Sequence, residues 1–364
     1  MTQLCFGGGP GRPRISRRRS RCNKMAHSVE SRATVLIFVK VISTVARAFR
    51  SVGIACWLAS SLALAQTQPP STASASAPFT TQIKKAVVFI QTDCRTPQGV
   101  ESHVGTGFML SVPDPRLPAD RVFLYLITNR HVIQPGIENS KPCDVVGWYV
   151  RLNLKARAND QRGSRLVPLG DVKNLWFLPT DDSVDLAALP LVPDEKLYDF
   201  VAVPFAMLSD QKSDALTEGD AVLFTGLFIQ YMGQTRMQPI VRSGSLAMLP
   251  YEALSTTLKK SGHVYLAEVH AFGGNSGSPM FVDVGGLRRG KLGYEFKLLG
   301  VVSGEVFETA DFQLQVATTY KGDVSANSGI SIVVPAGEIK ALLESSDAQK
   351  KRDEAIAKEK PTGK

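Results

Sequence analysis

Cysteine is scarce in this chain: five in 364 residues, three of them (Cys5, Cys22, Cys56) within the first 65. That excludes a miniprotein stapled by disulfides. Cys94 and Cys143 stand apart from any His–Cys cluster, so there is no metal-ligand signature and no cofactor is expected. Acidic residues are nearly missing from residues 1–65, where Glu30 faces 11 Lys and Arg. The remainder holds 31 basic and 32 acidic residues, so the net charge of +9 belongs to the leader. The body therefore offers no electrostatic case for nucleic-acid binding. Repeats of fixed period are absent, and helical periodicity is missing until Ala336–Ser345. What is present is ordinary globular composition, 44% hydrophobic and 21% charged, which excludes global disorder.

The leader has the order of an export signal. Arg47 and Arg50 precede an apolar run, Val52–Leu64, which ends in Ala63-Leu64-Ala65 before Gln66. A positive segment, an apolar segment and a small-x-small site predict cleavage after Ala65. The alternative is an uncleaved membrane anchor over roughly residues 34–64. Met25 is the expected initiator, with the Arg-rich tail before it read as an over-extended start. Residues 66–80 are Pro/Ser-rich and read as a linker. Residues 347–364, a charged tail dense in Lys, Glu and Asp, read as a frayed helix or a disordered tail. An exported compartment is oxidising, so Cys94 and Cys143 are expected to form a disulfide clamping the loops around His131; two unrelated buried thiols are the alternative.

The body alternates with period two. Trp148, Val150, Leu152 and Leu154 share one face, and Tyr149, Arg151, Asn153 and Lys155 the other; Phe312, Leu314 and Val316 alternate with Gln313 and Gln315. Short apolar runs predict further strands at 87–90, 107–112, 123–128, 221–226, 264–269, 298–302 and 330–334. In 336–345, Ile339, Leu342 and Leu343 share a helical face. Many short strands without intervening helices argue an all-β barrel or sandwich, and some 280 residues of them argue two packed β-domains. The boundary is placed near 200–215, in LSDQKSDALTEGD.

Three motifs carry chemistry. His131 ends the apolar strand LITNRHV. Asp185 enters an apolar run in DSVDLAAL, where a carboxylate needs a strong donor such as an imidazole N–H. Ser276 is flanked by glycines in GGNSGSP; glycines let the backbone turn tightly and aim N–H groups at one spot, beside a hydroxyl. An acyl-transfer site needs a hydroxyl, a base and a carboxylate that fixes the base's tautomer. The order His131, Asp185, Ser276 differs from that of α/β-hydrolases and of subtilisins, and is that of the chymotrypsin type.

On these residues the body resembles trypsin-like serine peptidases, and among them the bacterial HtrA-like branch. Thr128-Asn129-Arg130-His131-Val132 is similar to its TNxHV segment, Asp185-Leu186-Ala187 to D-[LV]-A, Gly274–Pro279 to GNSGGP, and Gly105-Thr106-Gly107-Phe108 to G-[ST]-G-F. Glu218–Val222 and Arg242-Ser243-Gly244 resemble later strands. The resemblance covers roughly residues 82–345, and no PDZ domain is expected after it. It implies two six-stranded antiparallel β-barrels with a C-terminal helix: 81–205 carrying His131 and Asp185, and 206–346 carrying Ser276. It implies an oxyanion hole from the backbone N–H groups of Gly274 and Ser276. Ser278 departs from the pattern, adding a Cβ near that hole.

By the same resemblance His270 lies at the base of the primary specificity pocket, with Ser303, Gly304 and Glu305 along its wall. His270 would favour acidic substrate side chains and Glu305 basic ones, and the sequence leaves the two in conflict. His103 and His263 show no partner. The leading expectation is an exported, periplasmic or secreted serine endopeptidase acting on protein or peptide substrates, with no cofactor, no nucleic acid, and membrane contact only if the leader is retained. The alternatives are a catalytically inactive binding protein on the same fold and a membrane-anchored structural protein.

Overall fold

The structure is a computed structural model that describes residues 77–155, 163–286, 289–315 and 319–359, without the side chains of 309–325. The leader with its apolar run, residues 66–76 of the linker, Val316 and residues 360–364 lie outside the described residues. Among the described residues, no helix is long and apolar enough to cross a membrane.

The described chain opens with helix α1, Phe79–Ala86. Phe79, Ile83 and Ala86 fall at i, i+4 and i+7, one face of a helix. Lys84 and Lys85 occupy its last turn, where the helix dipole favours cations. The first half then builds one sheet from β1 (Val87–Thr96), β2 (Gly99–Val112), β3 (Phe123–Thr128), β4 (Asp144–Asn153), β5 (Ser164–Pro168), β6 (Ala187–Pro190) and β7 (Val203–Pro204). A one-turn helix α2, Arg130–Ile133, follows β3. The order is β5-β4-β1-β2-β3-β6, with β7 added parallel to β2. In β4 the expected alternation appears as burial: Trp148, Val150 and Leu152 face the core.

The second half holds β8 (Ala221–Gly226), β9 (Ile240–Met248), β10 (Leu254–Ser255), β11 (Ser261–Gly262), β12 (Tyr265–Glu268), β13 (Pro279–Asp283), β14 (Phe296–Gln315) and β15 (Thr319–Pro335). Six of these close a barrel in the order β12-β15-β14-β13-β8-β9. The outer parts of β14 and β15 leave the barrel as a long hairpin, paired from Phe307↔Asn327 to Gln315↔Thr319. Helices α3 (Ala336–Leu343) and α4 (Ser346–Glu359) follow.

One apolar cluster joins the halves. Phe108, Leu110, Ile127 and Leu186 come from the first, Phe281, Leu298, Val301 and Val334 from the barrel, and Ile339 and Leu342 from α3. Ile83 and Ala86 of α1 enter the same cluster, and Phe79 stacks on Phe296 with centroids 4.4 Å apart. Burying each large apolar side chain contributes about 1.5–3 kcal/mol.

One expectation needs correction. Only the second half is a closed six-stranded barrel; the first is a seven-stranded sheet whose end strands β5 and β6 do not pair with each other. The physical reason is that Phe177, from irregular chain, takes the outer edge of β6: its N–H donates to Ala188 O (2.7 Å) and Ala188 N–H returns to Phe177 O (3.0 Å). The expected C-terminal helix is α3, and of the two readings for the segment after it the helix holds: Ala348, Arg352 and Ile356 bury at i, i+4 and i+8 of α4.

Candidate active site

Each half contributes to one cluster of polar side chains. β3 delivers Asn129 and α2, and His131 sits in that single turn. The last carbonyls of α2 are satisfied from the sheet: Thr92 Oγ1 donates to Val132 O (2.8 Å) and Trp148 Nε1 to Ile133 O (3.0 Å). Behind this turn Cys94 and Cys143 form a disulfide, with Cα atoms 5.7 Å apart.

Asp185 stands two residues before β6 and is 1% exposed. Its Oδ1 accepts His131 N–H at 3.0 Å, and its Oδ2 lies 2.6 Å from His131 Nδ1. An ionised carboxylate only accepts, so Nδ1 carries the proton and Nε2 of the neutral ring keeps its lone pair. Burial opposes both charges; the attraction of the pair and the hydrogen bond between them outweigh it. His131 is held above the usual histidine value and Asp185 below the usual carboxylate value. Asn129, fully buried, donates from Nδ2 to the Asp185 carbonyl (2.7 Å) and fixes the backbone there.

Ser276 belongs to the loop between β12 and β13. Gly277 beside it has φ +89°, and a Cβ there would come within 1.8 Å of Thr106 O, so only glycine fits. Gly274 likewise has φ +93°. Gly277 N–H donates to Val302 O and Asn275 N–H to Phe272 O, whereas the N–H groups of Gly274 and Ser276 meet no acceptor among the described residues. Thr106 of β2 pins this loop. Its N–H donates to Ser276 O (2.8 Å), and its hydroxyl donates to Gly274 O (2.7 Å) while accepting Leu227 N–H (2.8 Å). The Ser278 side chain is fully buried against Gly226, the position where any Cβ would collide with its hydroxyl.

Ser303 of β14 touches both sets. Its Oγ donates to Asp185 Oδ2 at 2.6 Å and lies 2.7 Å from Thr257 Oγ1. A hydroxyl has one proton, so Thr257 is the donor in the second contact. The Ser303 carbonyl accepts the Ser276 hydroxyl at 3.2 Å. In this conformation Ser276 therefore donates to Ser303 O, not to His131. The sequence reading put Ser303 on a pocket wall and did not foresee its bond to Asp185; Thr257 was missed altogether. Nothing at positions 118 residues apart signals such a bond.

The remaining predicted residues separate. His270 is exposed; its ring lies over Gly329 and beside Phe272, centroids 6.4 Å apart. It lines a cavity of about 580 Å³ shared with Arg242 and Glu268. Gly304 lies against Thr257. Glu305 is half-buried, and Asn327 Nδ2 donates to its Oε2 at 2.6 Å and to Ala271 O at 2.7 Å. Among the described residues, no group of His, Cys, Asp and Glu is placed to hold a metal ion.

No protein-family model and no curated relative matches this chain. Solved structures that are similar to it include the active form of the Rv3671c protease from M. tuberculosis, at 17% identity and TM-score 0.39 over 76% of this chain and 87% of that one. The inactive form of the Rv3671c protease gives 18% and 0.37 over 76% and 96%. Deg5 gives 17% and 0.35 over 62% and 81%.

Proposed function

We propose that this chain is an exported serine endopeptidase that hydrolyses peptide bonds through Ser276, His131 and Asp185. The observation that carries the reading is the convergence at Ser303: its side chain holds the carboxylate that holds His131, and its carbonyl holds the Ser276 hydroxyl. Ser276 Oγ leaves that carbonyl and attacks the scissile carbon as His131 Nε2 takes its proton. Asp185 keeps Nδ1 protonated and stabilises the imidazolium. The free N–H groups of Gly274 and Ser276 meet the oxyanion. Collapse expels the amine with the proton from Nε2, leaving an acyl-Ser276 ester. Water, deprotonated by the same nitrogen, then releases the acid and restores Ser276.

Fluorophosphonate labelling tests this directly. Wild type should label and Ser276→Ala should not; peptidase activity surviving in a pure Ser276→Ala preparation would sink the assignment. One observation favours a second reading, a binding protein without turnover: the Ser276 hydroxyl is turned to Ser303 O. An unlabelled wild type that still binds peptides would select it.

Export rests on the signal pattern before Gln66 and on the Cys94–Cys143 bridge, since such bonds persist in oxidising compartments. N-terminal sequencing of the periplasmic or secreted form should start at Gln66. A protein retaining residues 51–65 would contradict cleavage.

A further inference from the structure

We propose that the cavity walled by Trp148 and Trp176, against the turn that carries His131, is a ligand site of its own and takes a small apolar carboxylate. The site stands whether or not the chain is a peptidase.

Shape comes first. α2, the start of β4 and the segment 173–178 before β6 enclose a cavity of about 370 Å³. That is the size of a site for a small organic molecule, and such sites are mostly apolar with a few placed polar groups. His131, Asp185 and Ser276 do not line it, so it is not the cleft between the halves. The chain has three Trp: Trp57 lies in the leader, and the other two both wall this cavity. Ile133 and Leu178 add to the apolar lining. The walls are fixed before any ligand arrives. Trp148 is buried with its Nε1 donating to Ile133 O (3.0 Å), and Cys143 on the rim is tied to Cys94. A preformed site does not spend ligand affinity on ordering itself.

Chemistry comes second. The polar groups left free around the cavity are donors. Arg130 Nε donates to Gln134 Oε1 at 3.1 Å, while the two terminal nitrogens of the guanidinium meet no acceptor among the described residues. That bond occupies the Gln134 oxygen and leaves its amide N–H groups free. Lys173 is exposed and forms no ion pair with any described residue. Trp176 Nε1 is buried and meets no acceptor among the described residues. Asp144, the acid on the lining, is exposed and faces Arg95 at 3.7 Å. Two cations and further donors without acceptors require an anion, and the planar guanidinium fork matches a carboxylate. The indole and aliphatic walls require the rest of the molecule to be apolar, because only an apolar body removes their surface from water. A free acid and the apolar C-terminal residue of a peptide share this chemistry.

The test is a titration of the full chain with cyclohexylacetate, which does not absorb where tryptophan does, followed by tryptophan emission. Cyclohexylacetamide and cyclohexylmethylammonium are the neutral and cationic controls. Wild type and Ser276→Ala should respond to the acid alike and bind it at least tenfold more tightly than the amide, and the cation should bind most weakly. Arg130→Gln and Lys173→Gln should each weaken the acid at least fivefold and leave the amide within twofold. N-acetylglycylleucine separates the two sources: tighter binding than cyclohexylacetate marks the ligand as a peptide end, weaker binding as a free acid. An emission unchanged by the acid, equal affinity for acid and amide, or acid affinity kept in the Arg130→Gln/Lys173→Gln double variant overturns the proposal. Arg130 stands beside His131, so circular dichroism checks its variant; Lys173→Gln, at an exposed position, decides the matter if Arg130→Gln does not fold.

Discussion

Four oxygens and nitrogens meet around Asp185, and their ionisation sets opposite demands. Asp185 is held low, so it stabilises the fold above about pH 4, the unfolded carboxylate value, and this is lost as pH falls through its folded value. His131 is held high, so its contribution is complete below about pH 6.5 and is lost as pH rises through its folded value. The pair thus stabilises most between about pH 4 and 6.5, while proton abstraction needs neutral His131 and higher pH. The acid limb of kcat/KM should have its midpoint above about 6.5. In Asp185→Asn that midpoint should fall, with kcat reduced about 10⁴-fold, as measured by pH-rate profiles. A limb unmoved by Asp185→Asn would refute the coupling. Thr106 gives a second test at this scale. Thr106→Val keeps the shape but strands Leu227 N–H and Gly274 O in a buried place. We expect about 1–3 kcal/mol of lost stability by denaturant titration. We also expect kcat to fall about tenfold or more at nearly constant KM, and Thr106→Ser to recover it.

At the scale of elements, β3 and β8 were legible with their observed bounds, because a Pro/Asp-rich loop precedes β3 and Asn129 follows it, while Gly219-Asp220 precede β8 and Gly226 ends it. The helix at Ala336 was legible from Ile339, Leu342 and Leu343. α1 carried a readable i, i+4, i+7 pattern in Phe79, Ile83 and Ala86 but was hidden by the Pro/Ser-rich stretch beside it. α4 was legible only as a frayed helix, not as a packed one: its buried stripe is Ala348, Arg352 and Ile356, and an Arg there signals solvent. Arg352 is buried because Tyr125 OH and Leu343 O receive its guanidinium, partners no local pattern predicts. In the same way the His131, Asp185 and Ser276 motifs could be read, whereas the hydroxyls of Ser303, on β14, and Thr257, in the turn between β10 and β11, come from far along the chain with no motif of their own. The Cys94–Cys143 bridge ties β1 to the segment before β4 across 49 residues. Cys94→Ser should cost about 2–4 kcal/mol by thermal or denaturant unfolding. No change on mutation or on reduction would show that the loop after His131 is held by Thr92 and Trp148 alone.

For the whole molecule, stability is concentrated in the cluster between the halves. Phe281 is fully buried there, with the Phe79 ring edge-on at 5.2 Å. Phe281→Ala should cost about 3–5 kcal/mol by denaturant unfolding. Because His131 and Ser276 come from the two halves that this cluster joins, inactivation should coincide with or precede loss of tertiary signal. Activity that outlasts the tertiary transition would argue against this coupling.

The helices at the two ends are strapped crosswise: α1 lies on β13 and β14 of the second half, while α4 reaches back to Tyr125 and Arg116 of the first. Synthesis runs from one end, so this geometry is also a schedule. The first sheet is made early, yet Tyr125 and Arg116 gain Arg352 and Asp353 only after the entire barrel is made. α1 is made before β1, and the aromatic face it offers through Phe79 stays uncovered until Phe281 and Phe296 are in place. Neither half has all its contacts when its own last strand is complete, and His131 and Ser276 come together only once the barrel that carries Ser276 has been made. The peptidase we propose would stay inert while its chain is still being assembled, and its own unfinished neighbours would be spared during that interval.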